Sequence, residues 1–577
     1  MKFVELAAVF EQIEQESSRT TITTLLSDLF LRAQPQEAQV ISYIALGSLF
    51  PPYKILQLNI AKKGMVALTA ALLNESQDVV NLRLKEVGDI GQVLYQGLSQ
   101  SDQGLSVIEV YDQLVQCAHI SGVGSTEKKQ TFLINLFRHV DAISAKYIAR
   151  IITGTLRLGF SDMTILDSLS WMQVGDKSIR KDLEHAYNVC ADLGLVAYTL
   201  KQEGLAGIQK MGIQIGIPIR PSSAERLNSA QAIVDKLGSC VAQPKLDGFR
   251  LQVHLCKNNG VKISFFSRNL LDMSEMFPDL QQIVHSLPVE SVIFEGEAIV
   301  YDENSETFLP FQQTVKRKRK HGVQQASEQF PLRLYLFDIL YLNGESLLDK
   351  THRQRRALLD DLGKHTDTSR LYVIEEQKIE SADQLQNYFL KNIHLGLEGL
   401  VVKREDAIYQ PGKRNFNWIK LKKHARGKLV DTIDCVILGY YYGSGKRTKF
   451  GVGAFLVGVY NKDLDRFATV AKIGTGMKDS EWIDLKERCK QFEQSAQPHN
   501  VDVAKDLIPD VWVLPEIVCT IQSDEITQSP VHSAGLSNNQ LGLALRFPRF
   551  ITYRSDKSAQ DATTVQELRS LYKEQLP

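Results

Sequence analysis

Hydrophobic residues recur at helical spacing through roughly the first third of the chain. The opening stretch from Phe3 to Ile13 has an apolar face interrupted by glutamates, as in an amphipathic helix. TTITTLLSDLFLRAQ, EAQVISYIALGSLF and EKKQTFLINLFRHV repeat this spacing, and prolines separate the first segments. The pattern predicts an all-α domain over residues 1–215.

The pattern changes to strand alternation after GIPIRPSS, residues 216–223, which we interpret as an extended linker. LQVHL and VKISFF each place apolar residues on one face, and Asn-Asn-Gly between them predicts a hairpin turn. SVIFEGEAIVYD alternates, RLYLFDILYL is typical of a buried strand, and LDKTHRQRRALLDDLGK is typical of a helix. This mixture predicts an α+β domain over residues 216–425.

Short strands separated by glycines and polar turns dominate the rest of the chain. They are TIDCVILGYYYG, AFLVGVYN, RFATVAKIG, WVLPEIVCTIQS and FPRFITYR. Several short strands in about 150 residues predict a small β-barrel over residues 426–577. The expected fold class is therefore multidomain, which agrees with a length of 577 residues.

Composition changes this picture little. A hydrophobic fraction of 44% and a charged fraction of 23% are ordinary for a soluble globular protein. We find no run of about 18 apolar residues and no apolar signal-peptide core, so we expect a soluble, cytoplasmic, nucleoid-associated protein that does not bind membranes. The seven cysteines are scattered without CxxC spacing, which argues against a zinc site or a disulfide framework.

Local charge is more informative than the total, because 67 basic and 67 acidic residues cancel. Residues 316–320 read KRKRK, and the stretch from Lys413 to Lys428 holds seven lysines or arginines and no acid. We interpret KRKRK as a DNA-facing or solvated loop rather than as a nuclear-import signal. QTFLINLF, from Gln130, is loosely similar to a sliding-clamp-binding peptide, but its helical spacing favours core packing.

Lys245 is the first candidate for chemistry, in VAQPKLDGFRLQVH. Lysine is a covalent nucleophile only when deprotonated, which a partly desolvated, cation-rich pocket favours. An Asp-Gly turn permits close approach to the backbone. Taken alone, KLDG is explained as well by a surface turn with a solvated lysine.

Carboxylates and further lysines lie on other predicted strands of the same domain. Glu295 and Glu297 are two residues apart in FEGEAIVYD and so share a strand face. Such oxygen ligands suit Mg²⁺ in phosphoryl transfer, although an exposed strand face is an equal alternative. Glu398 begins EGLVVKR, and WIKLKK places Lys420 and Lys422 on one face, as suits phosphate binding.

Together these segments resemble the motif series of the covalent nucleotidyltransferases, which comprise ATP-dependent DNA ligases, RNA ligases and mRNA capping enzymes. Seven segments follow the family's order: KLDGFR, SRNLLDMS, FEGEAIVYD, FDILYLNG, EGLVVK, WIKLKK and RFPRFITYRSDKS. The segment from Glu127 to Ser170 is similar to the helical DNA-binding domain of replicative-type DNA ligases. The resemblance therefore covers nearly the whole chain.

The resemblance implies an ATP-dependent, phosphodiester-forming DNA ligase. Lys245 would attack the α-phosphorus of ATP, and the AMP would serve, through a DNA-adenylate, to seal 5′-phosphate/3′-hydroxyl nicks in replication, repair and recombination. It also implies a DNA-binding domain over 1–215, an ATP-grasp-like nucleotidyltransferase domain over 216–425 and an OB-fold domain over 426–577. We expect a monomer whose partner is nicked duplex DNA, with a sliding clamp suggested only by QTFLINLF.

The resemblance also assigns the nucleotide contacts. Arg250 and Arg268 would contact ribose and phosphate, and Phe337 would stack on the adenine. The remaining cations would hold the α-phosphate, and they are Arg414, Lys420 and Lys422.

Metal and leaving-group roles follow in the same way. Glu297 and Glu398 would bind the ribose and a catalytic Mg²⁺, which neutralises phosphate charge. In the last motif, Arg554, Asp556 and Lys557 form the Arg-x-Asp-Lys core. Its cations would stabilise the departing pyrophosphate.

Gln243 departs from the family pattern. Two residues before the nucleophile these ligases often carry Glu, which accepts a hydrogen bond from the adenine amino group. An amide can accept through its oxygen but can also donate through its nitrogen. We therefore count Gln243 among the nucleotide-binding residues and expect Gln243→Glu to sharpen selectivity for ATP over GTP.

Three rival functions are weaker. RNA ligases and capping enzymes mostly lack the large helical N-terminal domain. A non-catalytic relic would not be expected to retain the lysine, the acidic pair, Lys-x-Lys and Arg-x-Asp-Lys. NAD-dependent DNA ligases carry a four-cysteine zinc site, for which the cysteines of this chain have no matching spacing.

Overall fold

The computed structural model describes most of the chain. The described residues are 1–54, 56–99, 102–156, 158–258, 260–302, 307–309, 314, 316–317, 322–364, 370–422, 432–443, 445–536 and 541–575. Contacts divide the chain into two compact units: Met1–Ile60, Ser101–Tyr147 and Ile151–Lys423 form the first, and Ala61–Gln100, Ile148–Arg150 and His424–Pro577 the second. The bounds of the three predicted domains remain a prediction.

The N-terminal third is helical, as its periodicity predicts. Its helices are α1 (Phe3–Gln15), α2 (Arg19–Arg32), α3 (Pro35–Ile44), α4 (Lys62–Leu73), α5 (Gln77–Val87), α6 (Ile90–Gly97), α7 (Val107–His119), α8 (Ser125–Phe137), α9 (Ala142–Ile152), α10 (Asp162–Val174), α11 (Arg180–Val189) and α12 (Leu193–Lys210). Capping explains several starts: at α7, Ser106 Oγ accepts from the Glu109 backbone N–H, and the Glu109 carboxylate accepts from the Ser106 backbone N–H.

Burial follows the predicted faces of these helices. The apolar face of α1 is buried from Phe3 to Ile13. In α8, which contains QTFLINLF, Leu133, Leu136 and Phe137 are buried, so this segment packs in the core as expected. No helix among the described residues is both long enough and apolar enough to cross a membrane.

The α+β part of the first unit contains two antiparallel-rich sheets. Its strands are β1 (Ser223–Arg226), β2 (Cys240–Lys245), β3 (Phe249–Cys256), β4 (Lys262–Ser267), β5 (Ser291–Asp302), β6 (Thr307–Phe308), β7 (Leu332–Leu342), β8 (Glu345–Ser346), β9 (Leu371–Val373), β10 (Gln377–Ile379), β11 (Gly399–Arg404) and β12 (Arg414–Lys422). Its helices are α13 (Ala230–Leu237), α14 (Pro278–His285), α15 (Val323–Gln329), α16 (His352–Lys364) and α17 (Ala382–His394).

One sheet has the order β1-β12-β11-β2-β10, and the other has β4-β3-β5-β7-β8 with β6 and β9 at its sides. The predicted hairpin is confirmed as β3 and β4, with Leu251 opposite Ser267; Asn259 of its turn lies outside the described residues. One face of each sheet is apolar and packs on helices. The opposite faces carry the polar residues that the motifs contributed, because side chains alternate along each strand.

Two segments differ from the sequence interpretation. The proline-containing stretch 216–223 is fastened to β3: the Ile219 N–H donates to Gln252 Oε1 at 2.7 Å, and Gln252 Nε2 donates to Ile219 O at 2.9 Å. It is therefore part of the domain rather than a free linker. Within KRKRK, Arg317 is fully buried and pairs with Asp279, so it is not a solvated residue, while residues 318–320 lie outside the described residues.

The second unit contains α4–α6 and a C-terminal domain built on a curled sheet. The strands are β13 (Ile433–Tyr441), β14 (Ala454–Asn461), β15 (Arg466–Ile473), β16 (Glu493–Gln494), β17 (Val501–Asp502), β18 (Val511–Val513), β19 (Val518–Gln522), β20 (Glu525–Ser529), β21 (Gly542–Arg546) and β22 (Arg549–Tyr553), with helices α18 (Asp479–Lys490) and α19 (Val565–Glu574). The first half of β13 pairs with β19 and its second half with β18, and a bulge in its pairing with β14 bends the strand beside an apolar core. β20 and β21 form a separate two-stranded sheet.

Candidate active site

Lys245 ends β2, the strand that pairs with β11 in the centre of the five-stranded sheet. Alternation along β2 puts Lys245 and Gln243 on one face, while Cys240 and Ala242 point into the apolar core on the other. Gly248 follows within the same motif, and a Cβ there would lie 2.4 Å from the Ala298 carbonyl oxygen of β5. Glycine is therefore required where the turn between β2 and β3 approaches the backbone of β5.

The Lys245 ammonium makes an ion pair with the Glu398 carboxylate. The second oxygen of Glu398 pairs with Lys422, so one carboxylate lies between two lysines. Burial opposes ionisation of Glu398, but Lys245 and Lys422 prevail and hold the pKa of Glu398 below its usual value. The structure thus brings together three residues that lie up to 177 positions apart in the chain.

Lys420 and Lys422 lie on the same face of β12, as the alternation predicted. Burial, together with repulsion from the nearby cations Lys422, Arg414, Arg268 and Lys245, lowers the pKa of Lys420. Of these cations, Lys245 and Lys422 contact the Glu398 carboxylate, and the five positive charges together outnumber the carboxylates beside them. Such a site favours a polyanion such as a triphosphate.

Glu297 approaches the same site from β5. Its Oε1 accepts a hydrogen bond from the Gly248 backbone N–H at 3.1 Å. Burial raises the pKa of the Glu297 carboxyl to about 7, against the opposing effect of Lys245 and Arg250. A carboxyl with this pKa is poised to ionise when a cation or hydrogen-bond donor arrives.

Glu295 shares a strand face with Glu297 but has a different environment. Its two oxygens each lie 3.0 Å from Arg250 Nη2, and its Oε2 also accepts from the Tyr409 hydroxyl at 2.9 Å. Arg250 Nη1 donates to the Ser222 carbonyl at 2.8 Å. Glu295 is therefore a buried structural partner, and only Glu297 of the pair is available to a ligand.

The Arg250 side chain also has a buried N–H without a partner and two aromatic neighbours. Its Nε is buried without a hydrogen-bond partner among the described residues. The guanidinium lies over the Phe337 ring at 5.4 Å and over the Trp418 ring at 5.6 Å. Arg268 and Arg414 are exposed on the same side of the site, close enough to act on Lys420 electrostatically.

Phe337 lies on β7, half-buried against Trp418 at a ring-centroid distance of 6.2 Å. Lys403 Nζ donates to the Phe337 carbonyl at 2.8 Å and lies 4.4 Å from the Trp418 ring centroid. Burial lowers the pKa of Lys403 to about 8 although Asp338 and other acids oppose the shift. Phe337 is thus held on both its ring and its backbone.

Sequence reasoning missed a group of buried charged residues beneath this site. Asp338 pairs with Arg355 through contacts of 2.7 and 3.0 Å, and both are almost fully buried. Glu376 accepts hydrogen bonds from Gln243 and from His352. Asp338 directly follows Phe337 in FDILYLNG, which is a signal that could have identified it, whereas the partner positions have no local signal.

Arg554, Asp556 and Lys557 lie together in the C-terminal domain. Arg554 binds the Asp556 carboxylate through two nitrogens, at 2.8 and 2.7 Å. Arg554 and Lys557 also both donate to Asp434 Oδ2, at 3.1 and 2.7 Å, and Asp434 Oδ1 accepts from Thr520. Asp434 was not predicted, and its carboxylate binds both Arg554 and Lys557.

The carboxylates fit a weakly held magnesium ion rather than a dedicated protein cage. Among the described residues, no group of three or more His, Cys, Asp or Glu side chains could hold a metal. Glu297 has one oxygen on Gly248, while Glu398 already contacts two lysines. Mg²⁺ commonly binds through one or two carboxylates together with substrate phosphates and water, which this donor set allows.

Comparison with known proteins agrees with this geometry. Residues 221–422 match the family model for the ATP dependent DNA ligase domain. Residues 2–170 match the DNA ligase N terminus, and residues 448–557 match the ATP dependent DNA ligase C terminal region. The three matched regions follow the same order as the helical, α+β and curled-sheet parts of this chain.

Full-length relatives show the same correspondence. A probable DNA ligase of Dictyoglomus turgidum is 41% identical over 577 residues, covering 100% of this chain and 98% of the relative. A DNA ligase of Pyrobaculum islandicum is 37% identical over 591 residues, covering 100% and 99%. The solved structure named Pmar-Lig_Pre shares the fold, with a TM-score of 0.56 and 16% identity over 95% of this chain and 99% of that chain.

Proposed function

The chain belongs to the ATP-dependent DNA ligase family, and on that premise we propose that it seals nicks in duplex DNA through an adenylate carried on Lys245. Nick sealing through an adenylate intermediate is the general mechanism of this family. The observation that supports the assignment of Lys245 is its position beside Glu398 and Lys422, at the strand end that faces the phosphate-binding cations.

The reaction proceeds in three displacements at phosphorus. The Lys245 ammonium first loses a proton. The neutral amine then attacks the α-phosphorus of ATP, a P–N bond forms, the P–O bond to pyrophosphate breaks, and the nitrogen loses a second proton. A 5′-phosphate oxygen of the nick then attacks the same phosphorus, which breaks the P–N bond and releases the lysine. Finally the 3′-hydroxyl attacks the 5′-phosphorus, loses its proton and displaces AMP, so that a phosphodiester forms.

The cations serve the phosphates in this scheme. Lys420, Lys422 and Arg414 hold the α-phosphate, and Arg268 and Arg250 contact ribose and phosphate. Their fixed positive charge is already in place before the reaction, so it stabilises the charge that develops on the phosphate oxygens.

The polar faces of the two sheets, which carry Lys245 and Glu297, supply the contacts to the base and the ribose. Phe337, held by Lys403 and Trp418, stacks on the adenine. Gln243 reads the edge of the base, and Glu297 binds the ribose. Arg554, Asp556 and Lys557 serve the release of pyrophosphate during adenylation, which their cationic pair suits.

Magnesium is the metal that this donor set favours. Glu297 and Glu398 would hold it together with phosphate oxygens, and it would neutralise phosphate charge. The domain assignment is a DNA-binding domain over 1–215, a nucleotidyltransferase domain over 216–425 and an OB-fold over 426–577. The curled sheet and the bulged, shared strand β13 support the OB-fold.

The test is incubation with α-labelled ATP and magnesium, followed by nicked DNA. The wild-type chain should acquire a covalent label that then moves to the DNA and is released as AMP upon sealing. Lys245→Ala should acquire none, whereas Lys378→Ala, a matched change at a lysine side chain that is 59% exposed, should label normally. A wild type that never labels, or a Lys245→Ala variant that labels fully, would contradict the assignment.

A further inference from the structure

The two polar atoms of the Gln243 amide have different surroundings. Its side chain is only 2% exposed, and its Nε2 donates to Glu376 Oε2 at 2.7 Å. Its Oε1 has no hydrogen-bond partner among the described residues. Because Gln243 and Lys245 share a face of β2, this open oxygen belongs to the side of the sheet on which the nucleophile lies.

Glu376 is held in place as an ionised carboxylate. The same Oε2 lies 2.8 Å from His352 Nε2 and 3.4 Å from Arg356 Nη1. Burial opposes its ionisation, but His352, Arg356 and Lys403 prevail and lower the pKa of Glu376. His352 is 2% exposed, so this arrangement is built into the domain rather than formed at its surface.

An ionised carboxylate can only accept hydrogen bonds, and this fixes the orientation of the neighbouring amide. The Gln243 amide must present its NH₂ group to Glu376. Rotation by 180° would place Oε1 against the carboxylate oxygen and leave two buried acceptors facing each other, which is unfavourable. The ambiguity of a glutamine at this position is therefore removed by a residue 133 positions away.

The base-stacking residue belongs to the same neighbourhood. Lys403, which donates to the Phe337 carbonyl at 2.8 Å, is near enough to Glu376 to contribute to its lowered pKa. Lys403 is also opposite Val241 in the pairing of β11 with β2, two residues before Gln243. Lys403 therefore links the two features, because it binds the Phe337 backbone and acts electrostatically on the Glu376 carboxylate that holds Gln243.

We propose that Glu376 is a positioning residue that fixes the Gln243 amide, so that its oxygen accepts from the 6-amino group of adenine and repels a 6-oxo group. The inference rests on the proposed function, because that function brings the adenine to Gln243. Selectivity for ATP then comes from a Gln–Glu pair rather than from a single glutamate.

The Gln243–Glu376 pair reverses the expectation, drawn from Gln243 alone, that Gln243→Glu would sharpen selectivity for ATP. In Gln243→Glu, two carboxylates would face each other at about the present separation of 2.7 Å. Either they repel, or one takes up a proton and becomes a donor. Selectivity should therefore fall in Gln243→Glu, and it should recover when Glu376 is replaced by an amide that donates to the new carboxylate.

The experiment compares α-labelled ATP, ITP and GTP as donors in covalent labelling of the full-length protein, with kcat/KM measured for each. ITP differs from ATP by the 6-oxo group and lacks the 2-amino group of guanine, so it isolates the edge that Gln243 would contact. Wild type should use ITP roughly 100-fold less well than ATP, as expected when acceptors are forced together in a buried site.

Variants then assign the effect to Glu376. Glu376→Gln should lower the ATP-to-ITP ratio by about tenfold, because a neutral amide can accept or donate and leaves both orientations of Gln243 open. Glu375→Gln, at the exposed neighbouring position, should leave the ratio unchanged. The double variant Gln243→Glu with Glu376→Gln should restore the wild-type ratio.

Several outcomes would overturn the inference. One is a wild type that labels with ATP and uses ITP equally well. This outcome can be observed without any variant. Another is an unchanged ratio in Glu376→Gln, or an equal loss with both nucleotides while circular dichroism shows a native fold. A double variant no more selective than Gln243→Glu would also overturn it. A wild type that does not label with ATP at all would instead remove the proposed function.

Discussion

Glu297→Gln should make the nucleotide-free protein more stable at alkaline pH while it abolishes activity. Burial raises the pKa of Glu297 from an ordinary value of 4.5 to about 7. The charged form is therefore disfavoured in the folded state by about 3 kcal/mol. A glutamine is close in shape to the protonated acid and can still accept from the Gly248 N–H.

The direction of the pH dependence follows from linkage. A carboxyl whose folded pKa lies above its unfolded value contributes stability that is fully present below pH 4.5. That contribution is lost as the pH rises through about 7. At pH 5 most of that contribution remains, so the variant should be more stable than the wild type by less than about 1 kcal/mol. At pH 8, without nucleotide or magnesium, the variant should be more stable by up to about 3 kcal/mol, or about 6–12 °C in the Tm of a domain of about 200 residues.

Thermal and denaturant unfolding at pH 5 and pH 8 measure this difference, and α-labelled ATP measures activity. Glu398→Gln is the matched control with the opposite sign. Lys245 and Lys422 lower the pKa of Glu398 against the effect of burial, so its carboxylate stabilises the fold above its unfolded pKa, and its amide should be less stable at pH 8. If Glu297→Gln were no more stable than wild type at pH 8, or equally shifted at both pH values, the reasoning would be refuted.

Two further predictions concern other parts of the molecule. Arg554→Ala or Lys557→Ala should slow self-adenylation by about 10²–10³-fold yet largely spare sealing of a nick that already carries 5′-adenylate. Equal loss in both assays, with a native circular dichroism spectrum, would contradict a role in pyrophosphate release. Asp338→Asn should lower the free energy of unfolding by about 3–5 kcal/mol, because it leaves the buried Arg355 without a countercharge. Asp484→Asn, in a half-exposed pair, is the control and should cost under about 1 kcal/mol. Equal effects of the two variants in denaturant unfolding would refute this prediction.

Local pattern was sufficient for most of the secondary structure. The apolar face of α1, the hairpin of β3 and β4 and the alternation of β12 were all predicted from spacing, because the helical and strand periods select which side chains share a face. The same periodicity placed Lys420 and Lys422 together. The motif order, combined with the resemblance, also identified Lys245 and Glu398, which the structure joins in an ion pair.

Burial and pairing over long distances were not encoded in any local pattern. Glu295 and Glu297 were indistinguishable in the sequence, yet one is fixed by Arg250 and Tyr409 and the other faces the site. Arg317 was predicted to lie in a DNA-facing or solvated loop, whereas Asp279 pairs with it in the interior. Which of two like charges is available to a ligand depends on neighbours from other strands, which spacing along one strand cannot specify.

The chemistry of Gln243 shows most directly what the sequence determines and what the tertiary structure determines. The sequence determined that an amide, able to accept or donate, stands two residues before the nucleophile. Only the tertiary structure brings Glu376 to within 2.7 Å of its nitrogen and so leaves the oxygen open. The physical reason is that residue identity fixes which hydrogen bonds a group can make, whereas the fold fixes which partner is present and which protonation state that partner keeps.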